Sequence, residues 1–330
     1  MKNKNMITVL RRIFADKVVR SFVIVVALFI IGQIAVPGFA TFHHIMTVLQ
    51  TSFFLGMLSL GQTIVVISGN EGIDLSVGPM LTVGVIASSA VLMGRDSNFA
   101  LALVVVLILG FALGLVNGIG VSFLGIAPLI MTLAWGIAVE GALLFITSGF
   151  PPGKASPLLE KLGGGSLKFH VGSYLVGIPW VIIIWFAITI AVLYIFKRTK
   201  FGRILYGIGA NDRAANLLGI KTKQIRTLAY GFSGMFSAFS GMLLLGYVTN
   251  PNLNLGTNYG LPSVAAVVIG GISLAGGAGS YLGAIAGSIV LTTLTSILVT
   301  FQFGESGRQI VFGFVLLVLL VLYARKPRGA

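Results

Sequence analysis

The sequence predicts an all-α bundle of about ten membrane-spanning helices in one domain of residues 1–330 with both termini cytoplasmic, and three observations lead there. Hydrophobic residues make up 56% of the 330 and charged residues only 9%, with a mean hydropathy of +1.02, more apolar surface than a single soluble core of this size can bury. Ten apolar runs stand at residues 19–37, 50–68, 77–94, 99–119, 121–148, 175–196, 227–249, 262–276, 280–301 and 308–324, most of them long enough to cross about 30 Å of hydrocarbon as helices. The charges between the runs are sorted by sign and side.

Lys2, Lys4, Arg11, Arg12, Lys17 and Arg20 precede or open the first run, eight Lys and Arg lie from Lys197 to Arg226, and Arg325, Lys326 and Arg328 follow the last, so these segments hold 17 of the 22 basic residues. The other five, Arg95, Lys154, Lys161, Lys168 and Arg308, lie near Asp96, Glu160 and Glu305. The positive-inside rule then sets both termini on the cytoplasmic side. It also accounts for the net charge of +14 without a nucleic-acid partner. The first run could be a signal peptide, but Pro37 and the lack of a small-x-small site around Ile34–Ala40 favour an uncleaved span. The longest outer segment, 149–172, carries Pro151, Pro152, Pro157 and Gly163–Gly165 and reads as a water-exposed loop.

Gly72–Ser89 lies over Gly271–Ser288 with eight identities in 18 positions. Duplicated transporter halves leave such echoes, with glycine-interrupted segments near the transport path, although small apolar residues also recur by chance. Two four-residue ladders, Gly110/Gly114/Gly118 and Gly279/Gly283/Gly287, put glycines on one helix face and predict close helix packing.

Residues 197–226 form the long charged segment, expected to be a cytoplasmic loop that couples the chain to a soluble partner. Within it Asn211 reads as an N-cap, Asp212 complements the helix dipole and Gly219 suits a left-handed C′ position. Ala214, Leu217 and Leu218 share a face. So short a helix needs a partner groove, or an anionic lipid surface, to bury that face. Gly207, Gly209 and Gly219 are expected to supply turns.

Absent cysteines exclude disulfides, and His43, His44 and His170 lack metal-ligand spacing. GFPPGKAS at 149–156 is no phosphate-binding loop, because three residues separate Gly149 from Gly153 and Ala155 follows Lys154. No catalytic constellation emerges, so the chain is not expected to be an enzyme or to carry a cofactor. Asp74 is read either as a cap for a helix starting near Ser76 or as part of a gate.

Four segments carry a resemblance: GIDLSVG at 72–78, GRILYGIGANDRAANLLGI at 202–220, FSGMFSAFSGMLL at 232–244 and AAVVIGGISLAGGAGSYLGAIAG at 265–287. The chain resembles, over nearly its whole length, the permeases of bacterial ABC importers for monosaccharides (ribose, xylose, arabinose, galactose). The resemblance implies the bacterial inner membrane, a cytoplasmic ATPase subunit seated on Gly202, Gly209, Asn211, Arg213, Ala214, Ala215, Leu218 and Gly219, a second identical or related permease subunit, and a periplasmic sugar-binding protein. A sugar path calls for hydrogen-bonding and aromatic side chains. The candidates are Gln50, Phe54, Gln62, Asn70, Asn117, Thr132, Trp135, Glu140, Asn250, Asn252 and Asn258. An ion-coupled sugar transporter would instead use Glu71, Asp74 or Glu140, and ABC permeases for branched-chain amino acids share the architecture.

Overall fold

The computed structural model describes residues 17–324 apart from Ser173, so Lys2, Lys4, Arg11, Arg12, Arg325, Lys326 and Arg328 lie outside the described residues. Every predicted apolar run contains a helix. They are α1 (Lys17–Ala35), α2 (Phe42–Ile67), α3 (Val77–Leu92), α4 (Phe99–Ser122), α5 (Pro128–Thr147), α7 (Trp180–Arg198), α10 (Thr222–Val248), α11 (Gly260–Ile269), α12 (Tyr281–Thr300) and α13 (Glu305–Ala324). Three short helices lie between them: α6 (Pro157–Gly163), α8 (Lys200–Ala210) and α9 (Asp212–Leu217).

Among the described residues seven helices, α1, α2, α4, α5, α7, α10 and α12, are long and apolar enough to cross a membrane. Two others fall short. α3 has 16 residues, and α11 has ten, about 15 Å at 1.5 Å per residue and half the hydrocarbon thickness. The run at 262–276 ends early because Gly270 closes α11 and Gly271 turns at φ +76°. The run at 121–148 yields a helix only from Pro128, at N1, since Gly125 sits at φ +72°.

Two expectations are corrected. The outer segment is not a free loop: Ser156 caps α6, Leu159 is fully buried, and a side chain on Gly163 would strike the Leu243 carbonyl of α10. The sixth run does not begin as helix either. Antiparallel strands β1 (Ser166–Val171) and β2 (Tyr174–Pro179) pair Phe169 with Val176 before Trp180 opens α7, so the fold is nearly rather than wholly α.

The core is built around α2 and α10. α10 packs on α4, α3 and α2, while α12 packs on α2, α11 and α1. The first glycine ladder is among the close contacts here, as are Gly84 and Gly241 between α3 and α10. A Cβ on Gly114 would stand 2.3 Å from the Tyr230 carbonyl of α10, and one on Gly118 2.6 Å from the Thr227 Cα. Gly283 and Gly287 bring α12 equally close to Gly270 and Ala266 of the α11 segment, but Gly279 precedes α12 and belongs to the loop before it.

Candidate functional site

The charged segment folds as two helices, not as a loop. Thr199 caps α8 by accepting from Gly202 N at 3.3 Å, and Gly202 itself is buried against the Phe196 backbone. α8 runs unbroken through Gly207 and Gly209, so neither glycine makes a turn. Gly209 is instead a point of contact: a Cβ there would lie 1.9 Å from the Ile67 carbonyl at the end of α2 and 2.5 Å from Gly277 N. Gly277 N donates to Ile67 O at 3.0 Å. The two loops that lead into the echoing segments, 68–76 and 270–280, therefore meet beside Gly209, through Gly69 and Gly277. Tyr206 ties α8 to the second loop by donating to Gly279 O at 2.8 Å, and burial pushes its phenol pKa up, which keeps the donor proton in place.

α9 has the predicted ends. Asn211 Oδ1 accepts from Ala214 N at 3.0 Å. At the other end Gly219, at φ +78°, donates to Asn216 O at 2.9 Å and Ile220 N to Ala215 O at 3.1 Å, the paired bonds of a Schellman motif. Ala215 faces inward, whereas Arg213, Ala214, Leu217 and Leu218 face out, the two leucines 89% and 80% exposed. α9 is fastened to α10 twice: Thr222 donates to Asn216 Oδ1 at 3.2 Å, and Arg226 Nη2 pairs with Asp212 Oδ1 at 3.0 Å. The Arg226 side chain is 6% exposed against 46% for Asp212, and its Nη2 also reaches Ser68 O at 3.5 Å. A half-exposed ion pair is worth little by itself. Its position gives it meaning, because one guanidinium joins α9, α10 and the loop that follows α2.

That loop is held by a buried carboxylate. Ser76 donates to Asp74 Oδ1 from both N and Oγ, at 3.0 and 2.6 Å, and Ser233 of α10 donates to Oδ2 at 2.7 Å. Gln62 of α2 accepts from Asp74 N, Asn117 of α4 donates to Ser76 Oγ at 2.7 Å, and Thr132 of α5 accepts from Leu75 N. Asp74 thus shapes the start of α3 as an Asx turn, with four other helices gripping it. The grip is incomplete: Gln62 Nε2, Asn117 Oδ1, Ser122 Oγ, Tyr230 OH and Arg226 Nε are buried without hydrogen-bond partners among the described residues. Beside the junction a cleft of about 1120 Å³ opens, lined by Asn70, Glu71, Phe123, Lys221 and Lys223 among others.

The structure does not gather the predicted sugar-path residues into one cavity. Gln62, Asn117 and Thr132 serve the Asp74 turn. Gln50 is buried, donating to the Gly163 and Gly164 carbonyls, and Phe54 packs between Phe53 and Tyr247. Trp135 donates to Leu113 O at 3.0 Å. Asn250 and Asn252 bond within their own exposed turn. Glu140 is exposed on α5 at a groove of about 200 Å³ shared with Leu133, Gly136 and Leu261, and Asn258 donates to Glu305 at 3.2 Å. Arg226, Ser76 and Ser233 were missed as site residues. A lone Arg one turn into a span is the signal that marks the first.

A family model described as "Branched-chain amino acid transport system / permease component" matches residues 44–322. The chain is 30% identical over 308 residues to the ribose import permease protein RbsC of Escherichia coli K12, covering 93% of this chain and 94% of that one. It is 31% identical to RbsC of Bacillus subtilis over 99% of both chains, and 32% identical to the fructose import permease protein FruF of Bifidobacterium longum over 86% of this chain and 78% of that one. No solved structure matches. With its spans packed on α2 and α10 and a capped basic segment between them, the chain is a multi-pass membrane protein that belongs to this permease family of ABC importers.

Proposed function

We propose that the chain is the membrane subunit of an ATP-driven, binding-protein-dependent importer that moves a monosaccharide through alternating outward- and inward-open states. In this reading it crosses the inner membrane about ten times with both termini cytoplasmic and works with a second permease subunit and a periplasmic sugar-binding protein. The observation that carries it is α9: a six-residue helix, too short to stand alone, capped at both ends, pinned by Arg226 and still presenting bare Leu217 and Leu218. Such a rigid apolar projection on a basic surface suits the groove of a cytoplasmic ATPase subunit. The topology draws support from Lys17, which opens α1 and donates to Gly271 O in the loop beside α8, setting the start of α1 near the basic segment. The names of the relatives support the sugar.

Movement of an ATPase would pass through α9 to Arg226 and α8, and from there to both echoing loops. The underbonded polar atoms around Asp74 and Arg226 are suited to exchanging partners as those loops shift. The test is to express the chain together with a candidate ATPase subunit and a candidate sugar-binding protein from the same organism. Leu217→Asp/Leu218→Asp and Gly219→Val should each reduce ATPase co-purification by about tenfold or more, the scale of losing an interface anchor, while the binding protein still takes up sugar. Unchanged association would sink the assignment. The family description favours one second reading, branched-chain amino acids, so uptake is challenged with ribose, fructose and leucine in parallel. Uptake by the purified chain alone under a proton or sodium gradient would instead mark a secondary transporter.

A further inference from the structure

While most of the predicted path residues are scattered, a polar set that includes Asn258 does converge, at the end of the bundle opposite α8 and α9. From Ile67 beside α8, α2 runs back to His44, roughly 35 Å at 1.5 Å per residue. There a cavity of about 410 Å³ opens between α2, α11, α12 and α13, within the usual range of small-molecule sites, about 300–1000 Å³.

Its chemistry is specific. Thr47 and Thr51 on α2 and Thr292 and Thr295 on α12 line it, and each donates its one hydroxyl hydrogen to the carbonyl four residues back, at 2.8–3.0 Å. What these hydroxyls have left to offer is lone pairs, so they act as acceptors. On the opposite wall Arg308 pairs with Glu305, which cancels the net charge, yet its Nε–H is buried without a partner. Tyr259 and Phe312 add aromatic surface. A row of acceptors, the spare Nε–H of Arg308 beside the Asn258 amide and the His44–Ser296 pair, a charge-paired wall and an apolar side suit a neutral ligand with several hydroxyl groups and a hydrophobic face. An amino-acid zwitterion would need a free cation and a free anion, and here those two already hold each other.

We propose that this cavity is a monosaccharide-binding subsite contained within a single subunit, at the end of the permease remote from the ATPase. It rests on the monosaccharide reading above and locates where the chain itself first holds the sugar.

The test uses the full chain in lipid nanodiscs and direct binding of tritiated D-ribose and D-fructose, alongside ATP-driven uptake by the complete transporter. Thr51→Val/Thr295→Val keeps shape and removes two acceptors. Arg308→Lys keeps the pair with Glu305 and removes the Nε–H. Each should weaken binding about tenfold, the scale of one or two lost hydrogen bonds, at an unchanged melting temperature. If the double variant melts early, Arg308→Lys alone decides. Sugar binding equal to wild type in the variants overturns the subsite and leaves the sugar reading intact, as does sugar uptake by a wild-type chain that binds neither sugar in nanodiscs. Competition by glycerophosphocholine but not by sugar makes the cavity a lipid site and also overturns it. Uptake of leucine with no uptake of either sugar overturns the functional reading, and this proposal with it.

Discussion

In their most apolar windows α2 and α10 have a mean hydropathy of 1.4 and are 94% and 72% buried, whereas α4 and α1, at 3.0 and 2.4, are 22% and 11% buried. In a soluble protein the order would be reversed. Lipid offers apolar side chains as good an environment as a protein interior does, so hydrophobicity does not drive helices together in a bilayer. Small residues that allow contact, and polar groups that need partners, decide which helices go inside. α2 has Gln50, Ser52, Ser59, Gln62 and Thr63 buried, and α10 has Arg226, Thr227, Ser233, Ser237 and Ser240. α5 shows the other extreme, with Leu133, Ile137, Phe145 and Ile146 all bare, a face left for lipid or for a second subunit.

The most severe way to break this contrast is to add bulk where the central helices touch. Gly114→Leu drives a side chain into the Tyr230 carbonyl 2.3 Å away and should cost several kcal/mol, giving no monodisperse protein on size exclusion. Gly141→Leu on α5 meets nothing within 4 Å and should elute as wild type. Equal damage at both sites would refute the division into interior and periphery.

A smaller effect is expected inside. Asp74→Ala leaves Ser76 N, Ser76 Oγ and Ser233 Oγ without their acceptor and should lower stability by about 3 kcal/mol, from several buried donors unpaired at once, read as a lower thermal-melting midpoint in detergent. Asp74→Asn, which keeps an oxygen for some of these donors, should fall less. A gate without a structural role predicts altered transport at unchanged melting for both.

The smallest change in stability, and the one that sharpens the comparison most, is at the junction. Arg226→Gln removes the link between Asp212 and Ser68 while leaving the caps of α9 untouched. It should cost only about 1 kcal/mol, as expected for a half-exposed pair, and keep ATPase association, but reduce sugar moved per ATP hydrolysed. Unaltered coupling would make Arg226 a packing residue only.

Legibility from sequence followed the range of the interactions involved. The α9 caps were readable because Asn211, Asp212 and Gly219 act on backbone within a few residues. The glycine ladder of α4 was readable because four-residue spacing is a local property of a helix. α8 was not, since glycines at 202, 207 and 209 disfavour a helix, and what holds Gly202 and Gly209 there is contact with the Phe196 and Ile67 backbones. The β hairpin was hidden because β2 reads as the apolar start of the span that follows, while the alternating β1 fell in a segment with the prolines and glycines of a loop.

By itself the sequence determined that this chain lives in a bilayer, roughly where its helices lie, which segment is basic and how α9 begins and ends. All of these depend on hydropathy, charge and backbone chemistry close along the chain. Only the tertiary structure decided that α2 and α10 are central, that Gln62, Asn117 and Thr132 serve Asp74 rather than form a path of their own, and that the two echoing loops meet at Gly209. Those outcomes depend on which polar groups find one another, from 12 residues apart for Gln62 and Asp74 to 159 for Asp74 and Ser233, and a polar residue in a span signals that it needs a partner without naming which one.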